Sequence, residues 1–166
     1  KPASSMLTMR DDMSGAAAVL GVMSIIKEFN PQVEVHGIIA ACENMPSGSA
    51  YKPGDVIVAK TGRTIEIDNT DAEGRVTLAD ALAYAEELGV DEIIDIATLT
   101  GACVVALGTV ASGIMGNNEE NISMFIETAA IAGERFWQMP MYEEYGETLK
   151  SDIGAHELPL NFKLDT

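Results

Sequence analysis

The sequence predicts an α/β fold in which helices flank a mixed, mostly parallel sheet in a three-layer arrangement. Helical segments alternate with short apolar runs, a pattern typical of buried strands in such sheets. The chain has 166 residues, of which 47% are apolar, so it can bury a core. Because the first residue is Lys1 rather than Met, we expect the domain to be incomplete. The predicted elements are, in order, a helix over 14–29, a strand over 33–42, hairpin strands over 55–59 and 64–67, a helix over 76–88, strands over 93–97 and 110–115, a helix over 120–134 and a short helix over 142–149.

The first two elements follow from local signals at their ends. Asp11 or Asp12 can cap the first helix, because a short polar side chain at that position accepts from free backbone N–H groups. Asn30 and Pro31 end the helix, since the residue before a proline disfavours helical backbone. Residues 33–42 are mostly apolar, which predicts a strand buried on both faces.

The later elements are separated by turn residues. Gly62 lies in the turn between the two hairpin strands, and Gly89 ends the helix that follows them. Residues 93–97 form a second buried run and residues 110–115 a third, shorter one. The run that ends in Pro140 breaks the next helix, and residues 103–107 are apolar without a clear period.

The charge balance limits the partners of this chain. Acidic residues number 26 against 10 basic ones, giving a formal net charge of −16. This charge argues against binding nucleic acid or anionic membrane surfaces, and it is compatible with binding cations. Cys42 and Cys103 lie in apolar runs without metal-type spacing, which predicts buried free thiols in a reducing compartment. No secretory signal is visible, and no apolar run reaches membrane-spanning length.

The segment Asn69–Arg75 carries the densest group of reactive side chains. In extended or irregular backbone, Asp71 and Glu73 could point the same way and hold one divalent cation, with Arg75 as a fixed positive charge beside it. A second interpretation is structural, because Thr70 and Glu73 have the spacing of a capping box ahead of an apolar helix. Both interpretations account for these residues.

Three segments could meet beyond the carboxyl ends of the strands, where ligands bind in such sheets. They are residues 9–13, residues 69–75 and residues 98–101. Together they supply carboxylates, an arginine and free backbone groups. A structural interpretation exists here too, since Asp12 can serve as a helix cap and Thr98 can satisfy backbone groups at a strand end.

The order of several motifs resembles that of the leucyl (cytosol) aminopeptidase family. The resemblance covers residues 1 to about 153, and it favours the metal interpretation of Asn69–Arg75 over capping alone. The matching motifs are Lys1-Pro2, Met9-Arg10-Asp11-Asp12-Met13-Ser14-Gly15-Ala16-Ala17, Cys42-Glu43-Asn44-Met45-Pro46-Ser47-Gly48, Lys52-Pro53-Gly54-Asp55, Asn69-Thr70-Asp71-Ala72-Glu73-Gly74-Arg75, Leu78-Ala79-Asp80-Ala81-Leu82 and Ala97-Thr98-Leu99-Thr100-Gly101-Ala102.

The resemblance implies a metal-dependent aminopeptidase that releases N-terminal, leucine-like amino acids from peptides by means of a water activated by two divalent metal ions. Those ions would be Mn²⁺ or Zn²⁺, with Mg²⁺ as a third option. Asp71 and Glu73 resemble metal ligands, Glu73 bridging both ions, and Asp12 resembles a ligand of the ion that holds the substrate's free amine. Lys1 resembles the catalytic lysine that polarises the scissile carbonyl, and Arg75 resembles the arginine that holds a bicarbonate acting as general base.

The resemblance also implies a substrate pocket, partners and an assembly. The partners would be peptides with a free N-terminus, and the assembly a cytoplasmic homo-hexamer. The family's further metal-ligating lysine and aspartate, which lie shortly upstream of Lys1 in its members, are not in this sequence. The positions that match pocket or peptide-contacting residues are Met9, Asn69, Thr98, Leu99 and Gly101.

Two other functions are weighed against this one. The chain could be a non-catalytic fragment or pseudoenzyme that keeps the fold without a full metal site. It could also be a nucleotide-binding α/β domain, although neither a GxGxxG motif nor a Walker-type lysine loop occurs. We expect residues 1–153 to form the partial catalytic domain and residues 154–166 a divergent tail.

Overall fold

The computed structural model describes residues 3–153. These residues form two compact units, one over residues 3–99 with Ile153 and the other over residues 100–152. Both units contain helices and a two-stranded sheet, which confirms the α/β class. The boundary expected at residue 153 stays a prediction, because residues 154–166 lie outside the described part.

The first unit begins with two consecutive helices. A 3-10 helix spans Ala3–Asp11 and α1 spans Ser14–Phe29, the same range that the sequence predicts. Asn30 ends α1 in a left-handed conformation with φ 45°, which confirms the expected end. The predicted cap at Asp11 or Asp12 is wrong, since Met13 occupies the cap position without a side-chain hydrogen bond. The chain passes almost directly from one helix into the next, and so lacks the extended residue that a capping side chain needs.

A hairpin leads towards the candidate site. Strand β1 (Val56–Val58) pairs in antiparallel fashion with β2 (Thr64–Glu66), and Gly62 adopts φ 82° in the turn. The pairing continues past the strands: Gly54 N–H donates to the carbonyl of Ile67 at 2.7 Å, and Ile67 N–H donates to that of Asp55 at 2.8 Å. Ile67 is only 3% exposed, so the residue that precedes the Asp68–Glu73 loop is fixed by both hydrogen bonds and burial.

Helix α2 (Glu73–Glu87) follows that loop and supplies much of the core of this unit. The hairpin turn is fastened to it, because the Lys60 backbone N–H donates to Asp80 Oδ1 at 2.7 Å and Lys60 Nζ lies 2.9 Å from Glu87. Gly89, with φ 70°, follows the last turn of α2 as expected. The buried apolar side chains of this unit, among the described residues, are Ile65, Ile67, Leu82, Ala83 and Ala85.

Two strand predictions are wrong. Residues 33–42 and 93–97 have no regular secondary structure, and their apolar side chains are largely exposed, for example 70% for Val33 and 62% for Ile94. A strand exists only when a neighbour accepts and donates its backbone hydrogen bonds. The part of the chain that the structure describes provides no such neighbour for either run. Cys42 is consequently exposed rather than buried, while both cysteines are free as expected.

The second unit pairs a short parallel sheet with a helix. Strands β3 (Ser112–Ile114) and β4 (Phe136–Gln138) are parallel, and α4 (Glu119–Ile131) connects them. Phe125 of α4 meets Phe136 edge to face at 5.1 Å between ring centroids. Strand β4 was predicted only as a helix break. Helices α3 (Ala102–Leu107) and α5 (Glu144–Glu147) complete the unit.

None of the helices in residues 3–153 combines the length and the hydrophobicity needed to cross a bilayer.

Candidate active site

The loop that carries two of the candidate carboxylates is shaped by Asn69. Its backbone is extended, with φ −134° and ψ 119°, and its Oδ1 accepts from the Asp71 N–H at 2.9 Å. This bond begins a 3-10 turn over Thr70–Ala72, after which α2 starts directly at Glu73. The capping-box interpretation is wrong in detail, because Ala72 is the cap residue of α2 and makes no side-chain hydrogen bond. The amide of Asn69 organises the turn instead.

The convergence of Asp71 and Glu73 that the sequence predicts requires extended or irregular backbone. Both residues lie instead in consecutive helical turns. Side chains two apart on a helix point in different directions. The same rule separates Glu73 from Arg75, which is exposed on the first turn of α2. A metal ion that both carboxylates bind must therefore lie near the N-terminal end of α2, and not beside one face of the helix.

Glu73 lies at the N-terminus of α2 and is partly buried. The free N–H groups and the dipole at this end of a helix favour a negative charge. Burial, and secondly the negative charge of Glu73, raise the pKa of the Tyr51 hydroxyl. Sequence analysis missed Tyr51, and no motif or spacing would have indicated it.

Asp12 is held by a residue 86 positions away in the chain. The Thr98 hydroxyl lies 2.9 Å from Asp12 Oδ1 and 3.0 Å from the Asp12 carbonyl oxygen, and it can donate to either. Gly15 allows the two segments to approach here, because a Cβ atom on it would lie 1.9 Å from the carbonyl oxygen of Ile96. The first and third of the predicted segments are therefore in direct contact.

Leu99 connects the third segment with the second. A Cβ atom placed on Gly74 would lie 3.5 Å from Cδ1 of Leu99, an ordinary van der Waals distance. Thr98 and Leu99 are consecutive, so one short stretch contacts Asp12 and lies beside the start of α2. Residues 98–99 therefore lie near both of the other predicted segments.

The remaining candidates have varied positions. Met9 is partly buried in the first 3-10 helix, and Arg75 is exposed on α2. Gly101 lies in the second unit, where it precedes α3. Lys1 lies outside the described residues. The roles expected for these four residues stay predictions.

The donor chemistry suits divalent metals, since carboxylate oxygens are ligands of Mn²⁺, Mg²⁺ and Zn²⁺. Across residues 3–153, however, no three His, Cys, Asp or Glu side chains lie close enough together to hold a metal ion. Asp12, Asp71 and Glu73 are brought to adjoining segments without forming a ligand set by themselves. These residues suit a divalent metal by their carboxylate oxygens and by the closeness of their segments. Their assignment as ligands stays a prediction.

A solved structure shares this fold. A mutant of tomato leucine aminopeptidase superposes with a TM-score of 0.84 at 52% sequence identity, over 89% of this chain and 29% of that one. The chain thus has the fold of part of a leucine aminopeptidase.

Sequence comparisons give the family. The family model described as "Cytosol aminopeptidase family, catalytic domain" matches residues 1–158. A probable cytosol aminopeptidase of Gloeobacter violaceus is 55% identical over 153 residues, which are 92% of this chain and 30% of that protein. A protein of the same description from Aquifex aeolicus is 58% identical over 144 residues, 87% of this chain and 29% of that protein. The chain belongs to the cytosol aminopeptidase family, and it spans about 30% of the length of these curated relatives.

Proposed function

We propose that the protein to which this chain contributes is a metal-dependent aminopeptidase that releases leucine-like N-terminal residues from peptides. The observation that carries the proposal is the Asn69–Arg75 signature in a chain of the cytosol aminopeptidase family. Its position supports the proposal too, because Leu99 adjoins Gly74 and the neighbouring Thr98 holds Asp12. We also propose that the protein acts in the cytoplasm as a homo-hexamer on peptides with a free N-terminus.

Three carboxylates would hold the two ions in this proposal, namely Asp12, Asp71 and Glu73. When bound, two divalent ions supply Lewis acidity and lower the pKa of a water molecule to near neutral. The Lys1 ammonium would stabilise negative charge that develops on the substrate carbonyl oxygen. Arg75 would hold a bicarbonate ion, which accepts a proton.

The peptide would be oriented by the residues between these charged groups. Asn69 shapes the loop through its hydrogen bond to the Asp71 N–H and leaves its own amide NH₂ able to donate. Leu99 is 41% exposed beside Gly74 and offers an apolar surface to a leucine-like side chain. Met9, from the segment that carries Asp12, and Thr98, which contacts Asp12, would complete the lining. Gly101 is assigned to the pocket by resemblance alone.

Replacement of Glu73 tests the proposal. In the whole protein, Glu73→Ala should lower kcat/KM for leucine amide by more than about 100-fold, because loss of a mere supporting partner of a metal ligand already costs about 10–100-fold. Glu86→Ala removes an exposed carboxylate from the same helix and is the matched control. Chelation should abolish turnover in the wild type, and added Mn²⁺ should restore it.

Two results would contradict the proposal. One is wild-type turnover by Glu73→Ala at full metal occupancy. The other is equal hydrolysis of leucine amide and its N-acetylated form, since an aminopeptidase needs the free amine.

A non-catalytic role is the second candidate, and one observation favours it. Within residues 3–153, no three His, Cys, Asp or Glu side chains lie close enough together to hold a metal ion. Calorimetric titration of the whole protein with Mn²⁺ separates the two candidates. Saturable binding that Glu73→Ala weakens supports the enzyme, whereas the absence of binding supports the non-catalytic role.

A further inference from the structure

We infer that Thr98 is a positioning residue that orients the Asp12 carboxylate through its hydroxyl group. Resemblance assigns Thr98 only to the lining of the substrate pocket. The contact with Asp12 indicates a different role for Thr98, which is to orient that carboxylate. The inference deepens the proposed function and rests on it for the consequences in metal binding, whereas the contact itself rests on geometry.

The hydroxyl of Thr98 meets Asp12 at two atoms. Its oxygen lies 2.9 Å from Oδ1 and 3.0 Å from the carbonyl oxygen of that residue, both within ordinary hydrogen-bond range. The single hydroxyl proton favours the charged carboxylate, because hydrogen bonds to ionised acceptors are the stronger ones. A donor that reaches the side-chain and main-chain oxygens of one residue restricts the torsions that connect them. The hydrogen bond therefore favours one orientation of the carboxylate.

The backbone around this contact is fixed independently. Gly15 is buried, and a Cβ atom on it would lie within 1.9 Å of the Ile96 carbonyl oxygen and 3.0 Å of the Ala97 Cα. The first turn of α1 thus rests directly on the chain just before Thr98. Asp12 N–H donates to the Met9 carbonyl at 3.0 Å, which fixes the backbone on the other side. The approach of Thr98 to Asp12 follows from main-chain packing rather than from a chance meeting of two flexible side chains.

Both side chains are exposed to solvent, so the contact affects orientation more than stability. An exposed aspartate otherwise samples several rotamers, and a metal ion that binds it must select one. A hydroxyl that has already selected the rotamer removes that cost. Partners of this kind change metal affinity by about 10–100-fold when they are removed from known metal sites.

The test compares two substitutions of Thr98 in the whole protein. Thr98→Val keeps the shape and removes the hydroxyl, whereas Thr98→Ser keeps the hydroxyl. We expect Thr98→Val to raise the Kd for Mn²⁺, measured by calorimetry without substrate, by about 10-fold or more. Thr98→Ser should restore a Kd close to the wild-type value. Thr128→Val is the control, because the Thr128 hydroxyl donates within its own helix α4, to the Met124 carbonyl at 2.8 Å.

A double-mutant cycle shows whether the effect passes through Asp12. If it does, Thr98→Val has no further effect on the Kd in an Asp12→Ala background. An unchanged Kd in Thr98→Val overturns the inference, as does an equal loss in Thr98→Ser. An undiminished effect of Thr98→Val in the Asp12→Ala background also overturns it.

One measurement needs neither a variant nor activity. Three-bond couplings across the Cα–Cβ bond of Asp12, in aspartate-labelled metal-free protein, report its rotamers. A single rotamer supports the inference and rotamer averaging overturns it, even where Thr98→Val does not fold. If the protein binds no Mn²⁺ at all, the proposed function fails, and these couplings alone decide the role of Thr98.

Discussion

Replacement of Gly15 by alanine should destabilise the first unit, although alanine is the better helix former. Within a helix, alanine is favoured over glycine by about 1 kcal/mol, and less in the first turn. At position 15 the added Cβ would lie 1.9 Å from the Ile96 carbonyl oxygen and 2.7 Å from its carbonyl carbon. These are main-chain atoms, which cannot rotate away. The decisive question is whether the clash exceeds the gain in helix propensity.

The geometry indicates that the clash costs more free energy than the gain in helix propensity supplies. The start of α1 and the segment around Ile96 must separate by about 1.5 Å to restore an ordinary contact, and overpacking of this kind costs about 1–3 kcal/mol. The separation also pulls Thr98 away from Asp12, but this hydrogen bond joins two exposed side chains and adds only about 0.5 kcal/mol to the loss. Since the propensity gain is about 1 kcal/mol at most, we expect a net loss of about 1–3 kcal/mol.

Gly21 provides a matched control on the same helix. Nothing lies within 4 Å of a Cβ atom at that position. Gly21→Ala should therefore stabilise the protein by about 0.5–1 kcal/mol, through helix propensity and a less flexible unfolded chain. Urea unfolding of the two variants and the wild type measures both effects, provided that the slopes agree. Equal stabilisation by the two substitutions would refute the close approach of α1 to Ile96.

Two further contacts give predictions that can be checked in the same way. Asp80→Ala should lower the free energy of unfolding by about 0.5–1.5 kcal/mol in urea titrations, because the Lys60 N–H loses its acceptor, whereas Asp80→Asn keeps an acceptor oxygen and should lose less; equal losses would show that the hydrogen bond is not the cause. Asn118→Ala should cost about 1 kcal/mol and speed hydrogen exchange at the amides of Glu120 and Asn121, which donate to its Oδ1 at 3.1 Å, so unchanged exchange at both would exclude this cap.

The elements that sequence predicted well are those whose signals are local. Helix α1 matches its predicted range because Asn30 and Pro31 end it, whatever the rest of the chain does. The hairpin follows from two short β-type runs around Gly62, which adopts the positive φ that the turn needs. In these cases the residues of the element and its immediate neighbours determine where the element begins and ends.

The failed predictions concern elements that need a distant partner. Residues 33–42 and 93–97 have the apolar composition of buried strands, but composition reports a tendency to be buried and not the neighbour that buries them. Strand β4 was missed for the opposite reason. Its run Phe136–Gln138 is too short and mixed to be recognised, and it becomes a strand only through its parallel pairing with β3.

The candidate site also has one part that depends on neighbouring residues and one part that depends on distant contacts. The loop around Asn69 could be recognised from consecutive residues, and its shape depends on hydrogen bonds between near neighbours. The contact between Thr98 and Asp12 joins residues 86 positions apart and has no signal in the sequence. The expectation that residues 9–13 and 98–101 gather at one edge of a sheet pointed to it, although residues 93–97 before Thr98 form no strand.

This division has a physical consequence for the proposed metal ligands. Glu73 is fixed by the turn before it and by the helix that it begins, so its position depends on the local structure of residues 67–74. Asp12 is fixed by Thr98 and by the packing of Gly15 on Ile96, so its position depends on tertiary structure. Mild destabilisation of the first unit should therefore displace Asp12 before it displaces Glu73. Metal binding that needs both carboxylates would then be lost before the local structure of the signature loop.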